Sequence, residues 1–140
     1  MKSKKELAEI VKDKVESATP VQYLPDGSVV YKNYKVVSNS GNYKLTKLSS
    51  RTVIDTFKTK SAAILAAKFY DQNNFNNYSN IKHIDQVFYS NFVDAEIFRF
   101  RIKNTKDLDR RDLMQWRLEI AESRAQRYKH EITALLKTHL

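Results

Sequence analysis

The sequence predicts an α+β fold: a small antiparallel β-meander covered by helices, followed by a long C-terminal helix with a heptad pattern. Three observations predict it. Residues 20–58 are rich in Val and Tyr and hold both glycines, Gly27 and Gly41, at turn positions. Beyond Gly41 the chain has neither glycine nor proline, and its apolar residues recur at helical steps. Finally, Met114, Leu118, Ala121, Ala125, Tyr128, Ile132, Leu135 and His139 alternate steps of four and three, a heptad spacing held to the end of the chain.

The first element is an amphipathic helix over residues 1–19. Ser3-Lys4-Lys5-Glu6 has the form of a capping box, and Leu7, Ile10, Val11 and Val15 make one narrow apolar stripe. Thr19-Pro20 stops it, because a residue before proline avoids helical geometry. Its interspersed acids favour docking on protein over lying on a membrane. The β-meander occupies residues 20–58. Leu24-Pro25-Asp26-Gly27 is a turn, Val29 to Val37 reads as one strand, and Asn39-Ser40-Gly41-Asn42 turns the chain into Tyr43 to Leu48. That pairing puts Tyr34, Val36, Tyr43 and Leu45 on one face and Lys35 and Lys44 on the other. After Ser49-Ser50-Arg51, a further strand runs from Thr52 to Phe57, giving three or four strands with an apolar face to cover.

A helical section over 59–105 supplies the cover. Thr59 or Ser61 caps a helix running through Tyr70, with Ala62, Leu65, Ala66 and Phe69 on one side. Asp71 to Asn80 reads as a polar loop anchored by Phe75 and Tyr78. Residues 79–103 carry both a helical stripe (Ile81, Ile84, Phe88, Phe92, Ala95, Phe98, Ile102) and a short alternation at Phe98–Ile102. The longer register favours helix. Thr105 or Asp107 then caps the long helix of 106–140. All of this fits a single domain over 1–140.

Composition excludes several classes of function. There is no cysteine, hence no disulfide, thiolate metal site or cysteine nucleophile. The most apolar run, Ala62 to Ala67, is far shorter than the roughly 20 residues of a membrane span. Acids at Glu6, Glu9, Asp13 and Glu16 are incompatible with a signal peptide. The three histidines are scattered, and His130 and His139 lie nine apart, too far along a helix for joint metal ligation. Asp107, Asp109 and Asp112 suit a helix start, lacking the glycine and glutamate of a calcium loop. Both glycines are committed to turns, so no phosphate loop exists. The expectation is therefore no enzyme, no cofactor, no metal, no small-molecule substrate and no membrane partner.

Two constellations remain. The heptad residues Met114, Leu118, Ala121, Ala125, Tyr128, Ile132 and Leu135 form an apolar seam suited to a coiled coil, whose flanking charges choose no orientation. Leu113, Trp116 and Ile120 add a second strip to the helix's first half. This predicts Trp116 packed on the body of the domain and the distal turns on another chain. The competing arrangement is an intramolecular bundle with the helices of 3–17 and 79–103. The second constellation is electrostatic. The net charge is +9, and residues 19–60 hold seven Lys and Arg against Asp26 and Asp55 alone. There Tyr31, Lys32, Lys35, Lys44, Lys47 and Arg51 interleave rings with cations, as a surface for single-stranded nucleic acid would.

Two further stretches carry a resemblance: Thr59-Lys60-Ser61-Ala62-Ala63 with Ala66-Ala67-Lys68, and Arg110-Arg111-Asp112 followed by Arg117-Leu118-Glu119-Ile120-Ala121-Glu122-Ser123-Arg124. With abundant Lys, Asn, Ile and Tyr, the chain resembles small uncharacterised proteins of marine tailed bacteriophages. The resemblance implies a virion-associated structural role in head, neck or tail, assembled in the cytoplasm of a bacterial host. Without that likeness a cytoplasmic location is expected. It also implies other copies or other structural proteins as partners, with repetition by symmetry giving an exposed seam its purpose. The leading expectation is a structural assembly protein, and the alternative a basic nucleic-acid-binding module.

Overall fold

A parity change splits the first long β run. Val29 and Tyr31 are buried, and so are Tyr34 and Val36. A continuous strand would keep odd positions on one face, so the switch to even positions requires a turn. It lies at Lys32-Asn33, where Lys32 takes φ +50° and Tyr31 pairs with Tyr34. The computed structural model describes residues 21–139; the helix expected over 1–19 lies outside them. Five strands run in sequence order, each antiparallel to the next: β1 (Gln22–Tyr23), β2 (Val29–Tyr31), β3 (Tyr34–Asn39), β4 (Asn42–Lys47) and β5 (Thr52–Phe57). The meander thus has five strands against the three or four expected, because the predicted Val29–Val37 strand is a hairpin and the short β1 precedes it.

Turn chemistry sets the registers. Gly27 at φ +86° closes the first turn, its N–H donating to Leu24 O. Ser40 and Gly41 both have positive φ, the geometry that joins twisted strands through two residues. Val36 therefore faces Leu45 across β3 and β4, and Ser38 faces Tyr43, as the sequence predicts. Asn33 ties two turns together, its side-chain amide donating to Ser49 Oγ and its carbonyl accepting from Ser49 N.

Three helices follow: α1 (Lys60–Asp71), α2 (Phe75–Asn104) and α3 (Leu108–His139). Of the two expected caps, Thr59 and Ser61, it is Thr59 that caps α1, its Oγ1 accepting from Ala62 N. Helix α1 is covered all round, not on one side: Ala62 through Ala67 and Phe69 are all buried. The sheet packs on one flank, and the N-terminal part of α2 and C-terminal part of α3 pack on the other. The polar loop expected over 71–80 shrinks to three residues. Asn73 adopts φ +56°, and Asn74 starts α2 by accepting from Asn77 N. Asn-rich sequence here encodes a tight turn and a cap rather than a long loop. Residues 93–103 are helical.

Asp107 caps α3, its Oδ1 accepting from the N–H groups of Asp109 and Arg110. The linker Thr105–Asp107 is short enough to force α2 and α3 into an antiparallel hairpin about 45 Å long at ~1.5 Å per residue. Its interior holds Ala95, Phe98 and Ile102 against Leu118 and Ala121. Ile132, Leu135 and Leu136 join the main core with Ile81 and α1. His139 meets Phe69 edge-on at 5.0 Å.

Ile132 is 2% exposed inside that core. Ile132→Asp should therefore unfold the whole chain, by about 4 kcal/mol or more, through a buried unpaired charge. Circular dichroism of helix and sheet signals through a denaturant titration checks this. A folded sheet with only reduced assembly would contradict it.

Candidate functional site

The heptad seam is spent within the chain. Leu118, at 7% exposure, and Ala121, Ala125 and Ile132 are buried against α2 or the main core. Met114, Tyr128 and Leu135 are half-buried, and Met114 Sδ lies 3.8 Å from Thr105 Oγ1. A seam between chains is therefore corrected to an intramolecular one, the antiparallel partner being α2. The expected polarity of α3 is corrected too. Its distal turns dock on the body of the domain, whereas Trp116 is 59% exposed and Leu113 about half exposed. The cause is geometric. Trp116 lies two residues from Leu118, about 200° round the helix, so when Leu118 faces α2, Trp116 must face away.

The basic sheet separates into cations without rings. Tyr31 and Tyr34 are buried beneath α1, and Tyr34 meets Tyr70 edge-on at 5.7 Å. Burial pushes both phenols above their ordinary range. Tyr31 is therefore no stacking platform. Lys35 pairs across from Thr46, and Lys44 from Val37, on the face away from α1. Lys47 stands opposite Tyr34, on the covered face. Arg51 occupies an exposed turn at φ +53°, and Lys32 bonds Asp71 at 3.1 Å. The six residues do not form one ring-and-cation surface.

Two carboxylates that the sequence reading passed over organise the junction of sheet and helices. Asp85 is almost completely buried. It accepts from Lys58 N at 2.7 Å, Thr59 N at 3.0 Å and Thr59 Oγ1 at 2.8 Å. It thereby fixes the strand-to-helix corner from α2. The available signal was an acid on an apolar helical face, Asp85 standing four residues after Ile81 and three before Phe88. Asp55 on β5 accepts from Tyr78 Oη at 2.7 Å, Lys82 Nζ at 2.9 Å and Thr56 N at 2.8 Å. Burial would raise its pKa, but the bonds from Lys82 and Tyr78 hold it below the usual carboxylate range. Burial, with Asp55 beside it, raises the Tyr78 phenol strongly.

Beside the Asp85 corner lies a cleft of about 430 Å³ between the Gly41 turn, the start of α1, and the α2–α3 hairpin. Lys58, Lys60 and Lys129 line it, together with Tyr43, Tyr89 and Phe92. Among the described residues no group of three or more His, Asp or Glu is placed to hold a metal ion, and no helix is long and apolar enough to cross a membrane. Comparison with protein-family models, curated proteins and solved structures finds no match.

Asp85→Ala strips the acceptor from two part-buried N–H groups and the Thr59 hydroxyl, and should cost about 3 kcal/mol in urea unfolding. Asp55→Asn should cost about 1–3 kcal/mol near neutral pH. A depressed carboxylate stabilises the fold above its unfolded pKa of ~3.9 and loses that contribution as pH falls through the lower folded value. Stability of the Asn variant should accordingly fall less than that of the wild type on acidification below about pH 4. Equal slopes for the two proteins would remove Asp55 from the acid response.

Proposed function

We propose that this chain is a non-enzymatic structural protein of a virion, built into head, neck or tail by contacts with other subunits. One observation supports this reading above the others. The projecting half of the α2–α3 hairpin carries large apolar residues that no described part of the chain covers. Leu108 is 70% exposed and Phe100 69% exposed, with Ile97, Leu113 and Trp116 also open to solvent. Arg101, Arg110, Arg111 and Arg117, all exposed, lie next to them or within a few residues along the chain. Aromatic residues with neighbouring arginines are the composition that protein–protein contacts favour.

The docking surface is thus the side of α3 turned away from α2, not the heptad seam; Phe100, two residues from the partly buried Phe98, is exposed on the far side of α2. Leu113, Trp116 and Ile120 follow one another at helical spacing on the side of α3 turned away from Leu118. Other copies of the chain, or other structural proteins repeated by symmetry, are the partners this surface suits. The resemblance to bacteriophage proteins agrees with a repeated component. An interface contributed by one rigid hairpin also needs no rearrangement of the sheet.

Light scattering after size exclusion, in moderate salt and free of nucleic acid, tests the reading. The wild type should exceed the 16.4 kDa of one chain. Leu113→Glu with Trp116→Glu should return it to one chain's mass and leave the melting temperature within a few degrees, since neither side chain is buried. A double variant that keeps the wild-type oligomer would overturn the assignment of this face.

A further inference from the structure

The lysine-lined cleft is separate from the hairpin's free end and does not depend on the assembly reading. Its floor is built. Asp85 holds the Lys58 and Thr59 backbone amides and the Thr59 hydroxyl through three hydrogen bonds, so the rim that carries Lys58 and Lys60 is fixed. Lys58 Nζ donates to Asn42 Oδ1 at 2.6 Å and lies 4.4 Å from the centre of the Tyr89 ring. Lys60 reaches over Tyr23, at 5.6 Å. Lys129 approaches from α3 on the opposite wall. Among the described residues, none of the three ammonium groups meets a carboxylate within ion-pair distance. The apolar wall is aromatic. Phe88 and Phe92 stack with centroids 6.2 Å apart, and Tyr89 and Phe92 remain about half exposed to the solvent.

Lysines that line a concave site without a carboxylate partner among the described residues select an anion, and exposed rings beside them select a flat apolar group joined to it. We propose that this cleft binds a nucleoside phosphate, its phosphate held by Lys58 and Lys129 and its base stacked on the Phe92 and Tyr89 wall. The cleft volume lies at the small end of the range for ligand sites, which suits one or two nucleotides. An inorganic anion would leave the rings without a role. A free nucleotide and one unit of a single strand present the same chemistry, so the test distinguishes the two sources.

Fluorescence anisotropy of an end-labelled oligothymidylate supplies the test, with thymidine monophosphate and inorganic phosphate as competitors. Phe92→Ala should weaken binding about tenfold and leave the salt dependence unchanged. Lys129→Ala should weaken it and reduce the slope of log K against log salt by about 0.7, one phosphate contact on a single strand. Both side chains are solvent-accessible, and a thermal melt checks that both variants fold. Competition by the monophosphate at matched nucleotide concentration assigns a free nucleotide; binding confined to the oligomer assigns a strand. The proposal is overturned if the wild type binds neither. It is equally overturned if phosphate alone competes as well as the nucleotide, or if Lys35→Ala with Lys44→Ala abolishes binding that the cleft variants retain.

Discussion

A helix that is apolar all the way round cannot rest on a surface; it must be enclosed. Helix α1, with Ala62 through Ala67 buried, imposes that condition on everything else in the described chain. The sheet encloses one flank, and the foot of the α2–α3 hairpin encloses the other. Alanine permits this sandwich because its small side chain lets backbones approach on both sides, while Ile64, Leu65 and Phe69 fill the remaining volume. The two ends of the helix are then pinned by charge: Asp85 from α2 at the start, and the Lys32–Asp71 ion pair at the finish.

Enclosing α1 consumes the distal end of α3 and the proximal end of α2. The rest of the hairpin must hold itself together through a narrow seam of Ala95, Leu118 and Ala121, flanked by Phe98 and Ile102. Small residues there bring the helices close but bury little area, and the Arg99–Glu122 bridge at 3.0 Å is exposed and adds little. The apolar residues on its outer surface contribute nothing to that seam. Large apolar side chains left open to water are costly for solubility, which is the cost the proposed partner contact would relieve.

The β-meander, the β3–β4 pairing, the helix starts near Thr59 or Ser61 and near Thr105 or Asp107, and the preference for helix over strand at 93–103 were legible because each rests on local chemistry: a cap oxygen, a turn residue, a long period. The reading failed where one pattern admitted two partners. A heptad stripe is equally satisfied by another chain or by an antiparallel neighbour, and the short linker Thr105–Asp107 decides for the neighbour only once residues 93–104 are known to be helical. Tyr31 and Lys32 read as parts of one alternating strand, yet the turn between Tyr31 and Tyr34 inverts the faces. Asp85 was invisible as a polar organiser because its partners, the amides of Lys58 and Thr59, lie more than twenty residues away and carry no side-chain signature.

The basic character of the cleft follows from where the acids of this region are spent. Between residues 19 and 60 the chain holds only Asp26 and Asp55. Asp26 turns back on Ser28, whose hydroxyl and amide lower its pKa. Asp55 is engaged by Tyr78 and by Lys82, a cation brought in from α2. Asp85 lies nearest the cleft, but its bonds go to backbone amides and a hydroxyl rather than to the lysine side chains. Each carboxylate is thus used to hold the fold. Among the described residues, the ammonium groups of Lys58, Lys60 and Lys129 meet no carboxylate, so the arrangement that stabilises the corner also leaves it electropositive.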